Sequence, residues 1–165
     1  MLIPIVVLAL TLAAPQQDAA WAPLQFLAGD WTGEGGGGPG QGSGEFSFQF
    51  DLQGKVLVRK NVARYPAAQD KPAVTHDDLM VVYLESGKVR ADYYDSEGHV
   101  IRYAVTPSTA GNTAQFLSDA QPSSPRYRLT YSSTGKDSLA IRFEIAPPGK
   151  PGAFATYIEA KARRK

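Results

Sequence analysis

Asp95 and His99 are the residues of this chain best placed to do proton chemistry. They flank the turn residues Ser96-Glu97-Gly98 within an alternating segment. A hairpin with a three-residue loop sets the two residues opposite one another on the same face of a sheet. A carboxylate beside an imidazole favours the charged ring and fixes its tautomer, as general acid–base catalysis requires. The pattern indicates either such a catalytic pair, or an Asp95 that caps the turn with His99 beside it at a barrel rim.

The segment His76-Asp77-Asp78 offers metal ligands. Successive residues of a strand point to opposite faces, so only His76 and Asp78 converge. A catalytic metal generally has three protein ligands, and His99 would have to supply the third from a neighbouring strand. We therefore predict no metal site here and interpret the segment as a structural anchor of its loop.

Arginine residues within alternating strands offer a third chemistry. Arg128 and Arg142 each lie between apolar neighbours in sequence. A guanidinium matches a carboxylate in two parallel hydrogen bonds, so an inward Arg128 would bind an anionic group of a ligand. If the apolar face points inward instead, both arginines form exterior salt bridges, for example Arg142 with Glu144.

The elements that must position these residues are strands. From Glu45 to Leu52 apolar and polar residues alternate with a strict period of two, and similar segments recur between turn-forming residues. A helical turn over Ala22–Ala28 precedes the first strand, which contains Trp31, and Gly33–Gly44 is a glycine-rich loop. The remaining predicted strands cover residues 45–52, 55–65, 78–84, 89–95, 99–105, 113–119, 126–131, 139–146 and 154–162.

The short connections between these strands favour an antiparallel meander. Open sheet edges promote aggregation, so such a sheet either closes or splits into a sandwich. The chain lacks long crossovers and the Cys-Trp-Cys pattern of immunoglobulin sandwiches. The sequence therefore predicts an all-β fold, a single antiparallel up-and-down barrel of about ten strands, wide enough for one small ligand.

The first residues indicate export. Leu2 to Ala14 is an uncharged apolar run, too short for a bilayer span of about 20 residues. We predict a signal peptide at 1–13, a linker at 14–21 and the barrel domain at 22–165. The location would be periplasmic or extracellular, with no stable membrane insertion after processing. The run has no positively charged start, and the alternative is a buried first strand.

Composition limits the partners. The 165 residues suit one domain, and the absence of cysteine excludes disulfides and thiolate metal sites. Lys and Arg number 17 against 16 Asp and Glu, and the net charge of +1 gives no electrostatic case for nucleic acid. We expect a monomer or a weak dimer.

The opening Phe26-Leu27-Ala28-Gly29-Asp30-Trp31-Thr32-Gly33 resembles that of nitrobindin-like and other lipocalin-like barrels of the calycin type, which share a Gly-x-Trp-x-Gly start. The segments HDDLMVVY (76–83), DYYDSEGHVIRY (92–103) and FEIAPPGKP (143–151) resemble those of uncharacterised exported bacterial proteins of this kind. The resemblance implies that Gly29 lets the backbone bend and that Trp31 plugs one end of the barrel. It also implies that a cation from the tail Lys161–Arg164 packs on the indole.

The nitrobindin resemblance raises the question of haem. Nitrobindins hold haem through a histidine near the end of the chain, and this chain has no histidine after Gly111. We therefore predict no cofactor, with haem as an alternative.

Together these features predict a protein that binds a small, largely apolar molecule inside a barrel, rather than an enzyme. The alternatives are an isomerase or hydrolase that uses Asp95 with His99, or His76, as acid–base groups, a haem or metal carrier, and a filled barrel that serves as a scaffold. The predicted ligand-binding residues are Phe46, Phe48, Phe50, Tyr93, His99, Ile101, Tyr103, Tyr127, Leu129, Ile141, Phe143 and Arg128, with His76 and His99 as polar contacts near the mouth.

Overall fold

The structure, a computed structural model, describes residues 19–34, 43–67 and 72–165. The predicted signal peptide and most of the glycine-rich loop lie outside the described residues. The described part contains one 3-10 helix, Ala19–Leu27, and ten strands. The strands are β1 Gly29–Glu34, β2 Ser43–Asp51, β3 Val56–Tyr65, β4 Val74–Glu85, β5 Lys88–Asp95, β6 Val100–Pro107, β7 Thr113–Ser118, β8 Arg126–Gly135, β9 Ser138–Ala146 and β10 Ala155–Arg164.

The sheet closes on itself. Each strand pairs antiparallel with its neighbours in sequence, and β1 pairs with both β2 and β10. Every strand in the described part of the chain therefore has two neighbours, which removes the open edges that promote aggregation. The predicted all-β, up-and-down barrel of about ten strands is confirmed.

Three predicted boundaries differ from the structure by three residues or more. The helix begins at Ala19 rather than Ala22, and β4 begins at Val74, inside a segment predicted as loop. The predicted turn at Ser132–Gly135 is part of β8, because Ser132 and Ser133 pair in register with β9. Serine and threonine are common in turns, but they also suit the solvent-facing side of a strand, so their presence alone does not mark a turn.

The 3-10 helix closes one end of the barrel. Trp21, Leu24 and Leu27 are fully buried. The Trp21 ring meets the edge of Phe50 with centroids 5.8 Å apart, close to the turn that joins β2 to β3. The tight turns between β4 and β5, β6 and β7, and β8 and β9 lie at this same end, because the strands run alternately up and down.

Trp31 ties the helix to the barrel. Its indole Nε1 donates to the carbonyl oxygen of Leu27 at 2.8 Å. The Arg164 guanidinium lies 4.2 Å above the indole ring and donates to the carbonyl oxygens of Ala28 and, at 3.4 Å, Phe26. The cation that the sequence placed on this tryptophan is therefore Arg164, and it joins the end of the last strand to the entry of the first.

An aromatic layer fills the closed half of the barrel. Phe46, Phe48, Tyr131 and Phe116 lie with neighbouring ring centroids 5.4 to 6.1 Å apart, mostly edge to face. Such pairs add about 0.5–1.5 kcal/mol each beyond the burial of their apolar area. The layer separates the helix-covered end from the space above it.

Gly29 is required at the start of β1. Its φ of 127° is one that residues with a side chain rarely adopt, and an added Cβ would collide with the Arg164 guanidinium. We expect Gly29→Ala to lower the free energy of unfolding by about 1–3 kcal/mol. Gly152→Ala is the matched control, because its Cβ would meet nothing within 4 Å. Urea unfolding of both variants checks this, and equal effects would contradict it.

Candidate functional site

The open half of the barrel contains a cavity of about 600 Å³. Its floor is formed by Phe46 and Tyr131 of the aromatic layer and by Tyr103, which packs on Phe116. At the opposite end the lining residues include the exposed Val74, His99 and Tyr157. The cavity therefore opens away from the helix.

One wall of the cavity is apolar. In β8 and β9, Leu129 pairs directly with Phe143, and the Tyr127 and Phe143 rings are stacked at 5.9 Å. Ile101 of β6 and Ile158 of β10 extend this wall. These side chains share the inward face because strand residues alternate, so the period of two predicts them correctly.

Most of the residues predicted to contact a ligand line this cavity. They are Phe46, Tyr93, His99, Ile101, Tyr103, Tyr127, Leu129, Ile141 and Phe143, and His76 joins them. Phe48 and Phe50 do not. They point inward but lie further along β2, where Phe48 is buried in the aromatic layer and Phe50 packs on Trp21. The alternation of apolar and polar residues predicts which face of a strand a side chain lies on, but not how deep in the barrel it lies.

Arg128 also lies outside the cavity, on the outer face of the sheet. Its guanidinium forms a bidentate pair with Glu144, at 2.6 and 2.7 Å, and lies 4.2 Å from the Phe154 ring centroid. Arg142 pairs with Glu159 at 3.0 Å rather than with Glu144. The apolar neighbours of these arginines in sequence occupy the inward face, which turns both guanidinium groups outward.

The other wall is polar, and two of its residues, Arg59 and Asn61, were not predicted from the sequence. Arg59 forms a buried ion pair with Asp78, and the Asn61 side-chain amide donates to Asp78 Oδ2 at 2.8 Å. Arg59 and Asn61 follow the buried Leu57 at intervals of two along β3. The sequence signal for this polar wall was the pair of polar residues at inward positions of β3. It was overlooked because the segment is rich in β-branched residues.

Two hydrogen-bond donors beside the cavity are unpaired. Arg59 Nε and the Tyr131 hydroxyl are buried without a hydrogen-bond partner among the described residues. Burial opposes the charge of Arg59, but the neighbouring Tyr131 and Asp78 keep the pKa of its guanidinium raised. Burial also raises the pKa of Tyr131, so its hydroxyl stays protonated and can donate. Unpaired buried donors cost free energy, and both atoms are buried away from the cavity surface.

At the mouth, His76 has a neighbour at each ring nitrogen. Nε2 lies 3.1 Å from the Tyr93 hydroxyl and 3.5 Å from Asp78 Oδ2. Nδ1 lies 2.7 Å from Glu97 Oε2. The prediction that His76 and Asp78 share a face is therefore confirmed. Glu97 was treated in the sequence only as a turn residue, and hairpin closure brings it to the imidazole.

Asp95 and His99 meet as the hairpin predicts. Tyr93 pairs with Ile101, and Asp95 Oδ2 lies 2.8 Å from His99 Nδ1. Asp95 Oδ1 accepts from the backbone N–H groups of Glu97 and His99 at 3.1 and 2.8 Å. Burial alone would raise the pKa of Asp95, but the hydrogen bonds from His99 and Glu97 outweigh it and hold the pKa below its ordinary value. Asp95 thus both caps the turn and pairs with the imidazole.

The chain matches no family model and no curated protein. Within the described ranges, no helix combines the length and the hydropathy that a bilayer span requires. The fold and the site define a closed ten-stranded antiparallel β-barrel whose interior cavity has one apolar and one polar wall.

Arg128 points outward and pairs with Glu144, so the stability of the fold should depend on pH. The hydrogen bonds from Arg128 hold the pKa of Glu144 below the ordinary value. This pair therefore stabilises the fold above the unfolded-state pKa of glutamate, and the stabilisation is lost as pH falls through the lower folded-state pKa. We expect Glu144→Gln to lower the free energy of unfolding by about 1–2 kcal/mol near pH 7 and to flatten its decline in acid.

Glu159→Gln is the matched control, because both Glu159 and its partner Arg142 are exposed. Exposed pairs contribute about 0–1 kcal/mol, so this variant should unfold much like the parent protein at every pH. Urea unfolding between neutral and acidic pH measures both variants. Parallel pH profiles for Glu144→Gln and the parent would show that the pair does not stabilise the fold.

Proposed function

We propose that the protein is an exported, lipocalin-like barrel that binds one small, largely apolar molecule in its interior. The main observation that supports this proposal is the cavity. Its volume of about 600 Å³ falls in the range of about 300–1,000 Å³ that is typical of small-molecule sites. The apolar run at residues 2–14 supports export, and the Gly29–Trp31 opening supports the lipocalin-like class.

The two unlike walls suggest how such a ligand is oriented. Leu129 and Phe143 line the apolar wall, whereas Arg59, Asn61 and Asp78 line the polar wall. We propose a ligand whose apolar body covers the first wall and whose hydrogen-bonding group faces the second. Transfer of apolar area from water contributes about 25 cal/mol per Å², and the polar contact supplies orientation more than affinity.

Native mass spectrometry of the protein purified from its own host tests the proposal. We expect a folded barrel that retains one small molecule, which is released and identified after denaturation. The physical reason is that a cavity lined by Leu129, Ile141 and Phe143 holds an apolar ligand more favourably than it holds water. Protein that carries no ligand and binds no fluorescent apolar probe would overturn the proposal.

A pair of leucine variants locates the binding. Leu129→Trp puts a bulky ring into the cavity, whereas Leu79→Trp makes the same change at an exposed position of β4. We expect Leu129→Trp to weaken binding of an apolar probe by at least about tenfold through steric exclusion. Leu79→Trp should bind as the parent does. Equal probe affinity in the two variants would place the binding outside the barrel.

A second candidate is an acid–base enzyme, and the Asp95–His99 contact of 2.8 Å favours it. Asp95 is buried and orients the imidazole, while the His99 side chain is 66% exposed beside the cavity mouth. This is the arrangement of a general base held by a carboxylate. His99→Ala should then leave the affinity for the retained ligand nearly unchanged and abolish its turnover. Unchanged turnover would remove this candidate.

A further inference from the structure

A group of three potential metal ligands lies at the mouth of the cavity. One ligand atom each from His76, Asp95 and Glu97 lies within 4.8 Å of the others. These residues come from β4, from the end of β5 and from the turn that follows it. They are brought together by the pairing of β4 with β5, in which Asp78 opposes Asp95. From the sequence, only His76 and Asp78 converge, with His99 as the third ligand that a metal would need; nothing in the sequence places Glu97 beside His76.

The contacts within this group are close. His76 Nδ1 lies 2.7 Å from Glu97 Oε2, and Nε2 lies 3.1 Å from the Tyr93 hydroxyl. That hydroxyl donates in turn to Asp95 Oδ2 at 3.3 Å. Metal ions bind imidazole and carboxylate ligands in their deprotonated forms, so an ion at this place would replace the proton shared between His76 Nδ1 and Glu97.

The charges around the group favour the binding of a cation. Asp78 is neutralised by Arg59. In the described part of the chain, Asp95 and Glu97 form ion pairs only with His99 and His76. Two carboxylates that have only imidazoles for partners leave this rim of the barrel negative whenever the rings are neutral, and a divalent ion balances both charges.

The potential ligands are already held by a second set of contacts. Two backbone N–H groups fix Asp95 Oδ1, and Oδ2 is held by His99 Nδ1 at 2.8 Å and by the Tyr93 hydroxyl. The His76 Nε2 side faces Asp78, which Arg59 and Asn61 hold in turn. A carboxylate behind a ligating histidine is the usual support of metal-bound imidazole, since it orients the ring and raises its basicity.

We propose that His76, Asp95 and Glu97 bind a divalent first-row transition metal ion, such as Zn²⁺, at the mouth of the cavity. One imidazole and two carboxylates form a donor set that suits such an ion better than Mg²⁺ or Ca²⁺, which prefer oxygen ligands alone. Three protein ligands leave a coordination position open to water or to a donor atom of a molecule in the cavity. The site does not depend on the apolar ligand and stands apart from it.

Isothermal titration of the untagged, EDTA-treated protein with Zn²⁺ tests the proposal. We expect one equivalent to bind, with release of the proton that His76 Nδ1 shares with Glu97. Glu97→Gln should weaken binding by at least about tenfold. Glu34→Gln is its matched control, since Glu34 also lines the mouth but pairs with Arg163, and it should bind Zn²⁺ as the parent does.

The histidines provide a second readout. The chain has only two, so ring resonances in an NMR spectrum can be assigned with His76→Ala. Zn²⁺ should shift or broaden the His76 ring signals more than those of His99, and thermal melting checks that His76→Ala remains folded. Absence of Zn²⁺ binding, equal binding by Glu97→Gln and Glu34→Gln, or a larger effect at His99 would each overturn the proposal.

Discussion

The pairing of β1 with β10 is the constraint on which the rest of the structure depends. Without it the sheet has two edges and no interior. Gly29 permits the bend that brings β1 into place, and Arg164 locks it by lying on Trp31 and by donating to the carbonyl groups at the end of the helix. The same few residues therefore close the wall of the barrel and fix the helix over one of its ends.

A barrel that is covered at one end and filled by aromatic rings over half its depth leaves its remaining space at the other end. The walls of that space differ because β8 and β9 place Leu129 and Phe143 inward, whereas β3 and β4 place Arg59 and Asp78 inward. We infer that a ligand meets an apolar surface on one side and a polar surface on the other. The proposed metal group lies at the rim, where His76 of β4 meets the end of β5 and the turn that follows it.

The period of two in the sequence predicted the strands, their antiparallel order and most of the apolar wall. It predicted Asp95 opposite His99 because hairpin geometry is local. It could not give depth along a strand, so Phe48 and Phe50 were expected in the cavity but lie in the filled half. It also could not show Glu97 reaching His76, since that contact depends on the register between β4 and β5. Arg59 was missed because a buried arginine is recognised by its partner, Asp78, which lies 19 residues away in sequence.

The central claim is that the barrel keeps an open space above its aromatic layer. A crystal structure of the protein purified from its host measures this directly. We predict non-protein electron density or ordered solvent between Phe46, Leu129 and Phe143, in a space of about 600 Å³. Side chains of Tyr127, Phe143 and Tyr157 packed across that space, with no room for another molecule, would contradict the account.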